Sequence, residues 1–242
     1  MGKVCQAVFL LTGLVGLLLT VKTALNLAYY LSYRWFDWGD LTSYVLADDR
    51  LSCDKPYFFP LFWNMALVLI FVFQHSVMTT TGWKSFVRSC GCAPIERSSY
   101  VIITCITLEL LMHYYNSSLS FTLWGVEIAS LFLLGRVVGA LHAVLWLVIF
   151  LSTLGMDFLE FVGLRQVLDH CFPPTDAHRP VEADKRAAQD HMRHSGVACF
   201  VVVLWLQPVM NAERFLLSLI FTLYSLFGHR VTASDYNYIK SN

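Results

Sequence analysis

The chain has 242 residues, 57% of them hydrophobic and 14% charged, with a mean hydropathy of +0.57. A soluble domain is about a quarter charged, so a water-soluble globule is excluded. The formal net charge is +0, from 17 Lys+Arg and 17 Asp+Glu, and nothing suggests nucleic-acid binding, which wants a basic stripe. The apolar excess is gathered into runs near the roughly 20 residues that cross a bilayer, not into the short alternating segments of a membrane β-barrel. The expected fold class is all-α: a polytopic membrane helix bundle of about six transmembrane helices, one multi-pass domain over residues 1–242, with the lipid bilayer as its partner.

Residues 4–19 are apolar and follow Lys3, and apolar character resumes after Lys22 through residues 24–31. A signal peptide would end in a small-x-small cleavage site. None stands there, so one long first helix and an uncleaved anchor are expected. Gly2 invites myristoylation, but Gln6 stands where Ser or Thr is wanted. Residues 32–56 are polar and aromatic, and Trp35, Trp38, Tyr44 and Tyr57 suit an interfacial belt. Pro60 opens the second helix, residues 61–78, which ends in Gln74-His75-Ser76.

Residues 79–99 read as a loop carrying Lys84, Arg88, Glu96 and Arg97. Within it Cys90-Gly91-Cys92 is the only close pair among seven scattered cysteines. It is not Cys-x-x-Cys, and no second pair follows, so no metal site is expected. The third helix covers residues 100–115, with Glu109 near its middle and His113 one turn later. An ionised acid at mid-membrane costs about 2.5–3.5 kcal/mol, and each Leu or Ile returns only about 0.3–0.6. Glu109 must therefore be protonated, paired, or turned to the bundle interior.

Residues 116–127 form a short loop without Lys or Arg, and the fourth helix covers residues 128–155 with Arg136 and His142 inside it. A polar helical extension follows over residues 157–167, where Asp157 and Glu160 share one face. A Pro-punctuated charged loop, residues 172–188, leads to Gln189-Asp190-His191-Met192-Arg193-His194-Ser195-Gly196. Helices five and six, residues 196–206 and 215–227, make a short hairpin around Gln207-Pro208.

Six spans put both termini on one side, together with Lys84, Arg88, Arg97, Arg165, Arg179 and Arg193; Arg34, Arg50, Lys55 and Arg214 fall on the other. The positive-inside rule places the termini in the cytosol or nucleoplasm.

Several segments together resemble the nurim family, multi-pass proteins of the inner nuclear membrane. They are Gln74-His75-Ser76-Val77-Met78, Glu96-Arg97-Ser98-Ser99-Tyr100-Val101, residues 157–167 with their Gly-Leu-Arg-Gln-Val core, His191-Met192-Arg193-His194, and the hairpin around Trp205 and Pro208 ending at Leu223-Tyr224. The resemblance covers about residues 60–238. The same pattern is similar to bacterial methanethiol S-methyltransferases and, more distantly, to isoprenylcysteine carboxyl methyltransferase. In those enzymes an Arg-His-Pro segment, a helical hairpin and a later acidic pair enclose S-adenosylmethionine.

That resemblance implies Arg193, His194, Arg165 and Asp235 as cofactor-binding candidates. It implies His75, Asp157 or Glu160 for positioning or deprotonating a nucleophile, since a thiol must lose its proton to attack. The chain departs from the enzymes at Ser195, which replaces Pro, and at Thr232-Ala233, which replaces the Glu pair. The leading expectation is a non-catalytic nuclear-envelope protein on a methyltransferase-like scaffold, with no cofactor. The alternative is an S-adenosylmethionine-dependent methyltransferase acting on a small thiol or membrane-soluble substrate. A transporter ranks below both, because no pair of broken helices with corresponding positions appears.

Overall fold

The computed structural model describes residues 3–32, 58–115, 122–125, 128–155, 157–172 and 195–228. Among these residues the elements are α1 (Lys3–Ser32), α2 (Phe58–Thr79), α3 (Thr81–Ser89), a 3-10 turn (Ala93–Ile95), α4 (Glu96–Tyr114), β1 (Thr122–Gly125), α5 (Ile128–Gly155), α6 (Phe158–Val162), α7 (Leu164–Cys171), α8 (Ser195–Trp205), β2 (Val209–Asn211) and α9 (Ala212–Gly228). Val4–Ser32, Phe59–Thr79 and Arg136–Gly155 are each long and apolar enough to cross a membrane, and Ser195–Trp205 is a shorter apolar helix. The chain is a multi-pass membrane protein built as a helix bundle.

The outside of the bundle is apolar. On α1, Val4, Val8, Leu11, Val15, Leu18 and Leu25 are exposed at helical spacing. On α5, Leu141, Val144, Leu147 and Leu151 are exposed in the same way. A soluble monomer does not present stripes of that size, and a bilayer covers them. Inward-facing positions combine large apolar side chains with a few buried polar ones, among them Asn64, Ser98, His142 and Ser218. α1 and α4 run parallel: Cys105 Sγ approaches Thr20 Oγ1 at 4.0 Å, and further along Asn26 meets Glu109. α2 runs antiparallel to α4, with Trp63 Nε1 donating to Tyr114 O near one end and His75 meeting Tyr100 near the other. α8 and α9 fold back on each other, with Trp205 Nε1 donating to Thr222 Oγ1 and Ser218 Oγ donating to Leu204 O. The main core joins five helices through Leu31, Val68, Leu111, Leu204 and Leu217.

Glu109 takes the paired alternative. It accepts from Thr23 Oγ1 at 3.0 Å and from Asn26 Nδ2 at 2.9 Å, with Lys22 Nζ at 3.7 Å. All three partners lie within little more than one turn of α1, so a polar side chain that α4 cannot bury alone is satisfied by its parallel neighbour.

Three connections differ from the sequence expectation. The 79–99 loop contains α3, whose N-cap Thr80 accepts from Trp83 N at 3.3 Å. Trp83, Phe86 and Val87 share one face of α3, Lys84 and Arg88 flank it, and no residue of the helix is buried. At nine residues α3 is too short to announce itself by periodicity. Arg88 then reaches Glu96 at 3.5 Å across Cys90-Gly91-Cys92, where Gly91 takes φ +73.

The loop after the third span carries β1, which pairs antiparallel with β2 in the register Trp124↔Met210 and Gly125↔Val209. Strands of three or four residues leave no readable alternation. The third difference is the segment read as an extension of the fourth helix. It is two short helices, α6 and α7, separated by Gly163 and cut from α5 at Asp157. Asp157 takes φ 48 and is the N-cap of α6, so it does not share a helical face with Glu160.

Candidate functional site

His75 sits in the penultimate turn of α2, where it ties three helices together. Its ring stacks on Phe71, one turn earlier, at 5.6 Å and 24°. The Tyr100 hydroxyl on α4 lies 2.8 Å from Nε2 and 3.1 Å from Nδ1. Tyr224 on α9 meets the ring edge-on at 5.9 Å, and Ser76 Oγ donates to the Tyr224 hydroxyl at 3.3 Å. His75 therefore stands where an apolar helix turns polar, with the Tyr100 hydroxyl at its ring nitrogens.

A cavity of about 220 Å³ opens below it inside the bundle. Its walls come from five helices and are mostly apolar, including Leu27, Phe71, Leu108, Phe200, Leu217 and Phe221. Its polar groups are His75, Tyr224 and Ser225 at one end and Tyr30 at the other.

A second cluster lies on the α6–α7 elbow. Asp157 Oδ1 accepts from Glu160 N at 3.3 Å, and Oδ2 is paired with Arg165 Nη1. Gly163, between the two short helices, has φ +83 and packs its backbone on α4. A Cβ there would sit 2.6 Å from Ser98 N and 2.7 Å from Arg97 Cβ. Arg97 completes the joint: its Nε donates to Phe161 O at 3.0 Å, and its guanidinium lies over the rings of Tyr100 and Phe161. The Gly-Leu-Arg-Gln-Val core and Glu96-Arg97 are thus two halves of one structural joint.

The candidates from the sequence divide accordingly. Asp157 and Arg165 come together as an ion pair. His75 belongs to the cavity and connects to the elbow only through Tyr100 and Arg97. Glu160 is exposed on α6, its backbone N–H capped by Asp157. Arg193, His194 and Asp235 lie outside the described residues, as do Thr232-Ala233. Ser195 is described: it opens α8, with its hydroxyl 3.3 Å from that of Ser152 on α5. Among the described residues no cluster of three His, Cys, Asp or Glu could hold a metal ion.

A buried polar layer at the opposite end was missed. Arg214, placed by sequence in a solvent-facing turn, is 1% exposed and donates through Nη2 to Leu31 O at 2.9 Å. Gln207 Nε2 shares that carbonyl at 3.3 Å. Ser32 Oγ accepts from Trp146 Nε1 at 2.9 Å and lies 2.9 Å from His142 Nδ1, while His142 Nε2 lies 2.8 Å from Leu206 O. Tyr115 donates to Glu213 O. The layer receives the last carbonyls of α1, so a cation there also meets the negative end of the helix dipole. Its readable signal was Asn211, the N-cap of α9, whose Oδ1 accepts from Arg214 N at 2.9 Å.

Over 201 residues the chain is 32% identical to Nurim of Rattus norvegicus, spanning 78% of this chain and 72% of that relative. The chain belongs to the nurim family. Nurim of Xenopus laevis is 31% identical over 74% of this chain and 63% of its own length, and a Nurim homolog of Drosophila pseudoobscura pseudoobscura is 27% identical over 81% and 77%. No family model matches the chain, and no solved structure does. In this nurim-family member, helices from five parts of the chain wall the His75 cavity, and the α6–α7 elbow packs against the start of α4.

Proposed function

We propose that this chain is a non-catalytic multi-pass protein of the inner nuclear membrane, built on a methyltransferase-like scaffold. The observation that carries this reading is the Asp157–Arg165 pair. A methyltransferase would direct the acid at a nucleophile and the arginine at the cofactor. Here each holds the other, and the Asp157 carboxylate also caps α6. The replacements named above point the same way. Losing an acidic pair removes charge-assisted hydrogen bonds worth roughly 1.5–3 kcal/mol each. Two such losses weaken cofactor binding by about 3–6 kcal/mol, or roughly two to four powers of ten. The inner nuclear membrane is what membership in the nurim family implies.

Calorimetry on the protein in nanodiscs tests this. No S-adenosylmethionine binding is expected at submillimolar concentration, and no methyl transfer to methanethiol or to a prenylcysteine analogue. Arg193→Ala is expected to stay folded and at the nuclear rim. The cavity ending at His75 favours the second reading, a methyltransferase for a small thiol or membrane-soluble substrate. Micromolar cofactor binding that Arg193→Ala abolishes would establish it.

A further inference from the structure

The cavity below His75 is a chamber with a chemical preference of its own. An apolar cavity of about 150 Å³ stays dry and takes benzene. By that scale, 220 Å³ holds about nine or ten carbon atoms. A sterol or a two-chain phospholipid does not fit inside it, and a single chain of medium length does. Wall chemistry narrows the head group. Among the described residues no Lys, Arg, Asp or Glu lines the cavity. Against these described walls a carboxylate or ammonium would lose its hydration with no lining charge to pair against. The polar end instead offers an imidazole and hydroxyls: His75 with the Tyr100 hydroxyl at 2.8 Å, Tyr224, and Ser225. These exchange hydrogen bonds with a neutral hydroxyl, which donates one and accepts others.

We infer that the chamber binds one uncharged single-chain alcohol of about ten carbons, its chain among Phe71, Phe200 and Phe221 and its hydroxyl at His75. The inference holds whether or not the chain binds S-adenosylmethionine, because it rests on the walls of the cavity alone.

The test uses the full chain in nanodiscs and a ten-carbon primary alcohol bearing a mid-chain diazirine. After irradiation, label is expected on residues of the cavity wall. Excess 1-decanol should compete it away at least tenfold more effectively than decanoate, with cholesterol ineffective. Two variants that fill the chamber from different helices, Leu108→Trp and Ser225→Phe, should each cut labelling at least tenfold. Leu147→Trp, on the lipid-facing side of α5, should leave it unchanged. His75→Phe keeps the ring and removes the hydrogen bond, so decane should then compete as well as 1-decanol. Label spread over lipid-facing positions, or equal labelling of the wild type and a folded filling variant, would overturn the inference. So would stronger competition by decanoate than by 1-decanol.

Discussion

At Glu109 the structure replaces three alternatives with one arrangement, and the consequences of substitution follow from its partners. Glu109→Gln retains an acceptor for Thr23 and Asn26 and loses only the charge opposite Lys22. Its steady-state level is expected to match the wild type on a quantitative blot. Glu109→Lys places a second ammonium beside Lys22 within the bundle, and accumulation should fall several-fold. Normal accumulation would mean that the position faces water. At Gly163 the limit is steric. Alanine there must hold a left-handed conformation, which costs about 1–2 kcal/mol by itself, and must also displace the Ser98 backbone from 2.6 Å. Gly163→Ala is expected to cost more than that conformational term alone, read as a lower melting temperature in detergent. An unchanged melting temperature would show that the elbow is not packed on α4. Neither the left-handed φ at Gly163 nor its neighbour 65 positions earlier in the chain, Ser98, can be read from a local pattern. The sequence showed only a Gly inside what read as one polar helical extension.

At the scale of elements, the apolar helices were legible because each is governed by one strong signal, a run of apolar residues ended by charge or proline. α1, α2, α5 and α8 begin and end within a few residues of the expected bounds. α4 starts earlier, at Glu96, because the acid suits the positive end of the dipole. Short elements were not legible. α3, α6 and the β1–β2 ribbon are set by a cap, a left-handed residue and a tertiary pairing, none of which spans a window long enough for periodicity. The Arg214 layer was illegible for a different reason: a lone Arg next to a turn looks solvated until its acceptor, the Leu31 carbonyl, arrives from the far end of the sequence on α1. Arg214→Ala removes one of two donors to Leu31 O. It is expected to destabilise by about 1–3 kcal/mol, the cost of an under-satisfied buried polar group, measured by thermal unfolding. Arg214→Lys recovers only part, because a point charge does not reproduce the planar fork.

For the whole molecule, the candidate site was half legible. His75 was singled out by the family resemblance, at the end of an apolar helix, and the structure gives it a cavity. Asp157 and Arg165 were singled out by the methyltransferase resemblance, and the structure gives them to each other. Alternation of the helices carries Ser32, Tyr115, Gln207 and Arg214 to one end, and the α6–α7 elbow with the start of α4 to the other. That arrangement, with the lysine and arginine bias, predicts that an engineered glycosylation sequon in the loop of residues 172–188 stays unmodified. A glycan there would reverse the orientation. The exposed apolar stripes predict retention in the pellet through alkaline carbonate; release to the supernatant would contradict a bilayer-spanning bundle.

The bond from Arg214 to Leu31 also sets a schedule. The two residues are 183 positions apart, and synthesis at roughly 5–20 residues per second separates them by on the order of ten to forty seconds. Throughout that interval the first helix is in the membrane with its last turn awaiting a donor that has not been made. Gln207, the other donor to the same carbonyl, comes only seven residues sooner, so neither arrives early enough to hold the place. The nascent bundle must either keep that end hydrated or be held by the insertion machinery. A ribosome that stalls before the last hairpin therefore leaves a chain recognisable as unfinished at its oldest helix, not its newest.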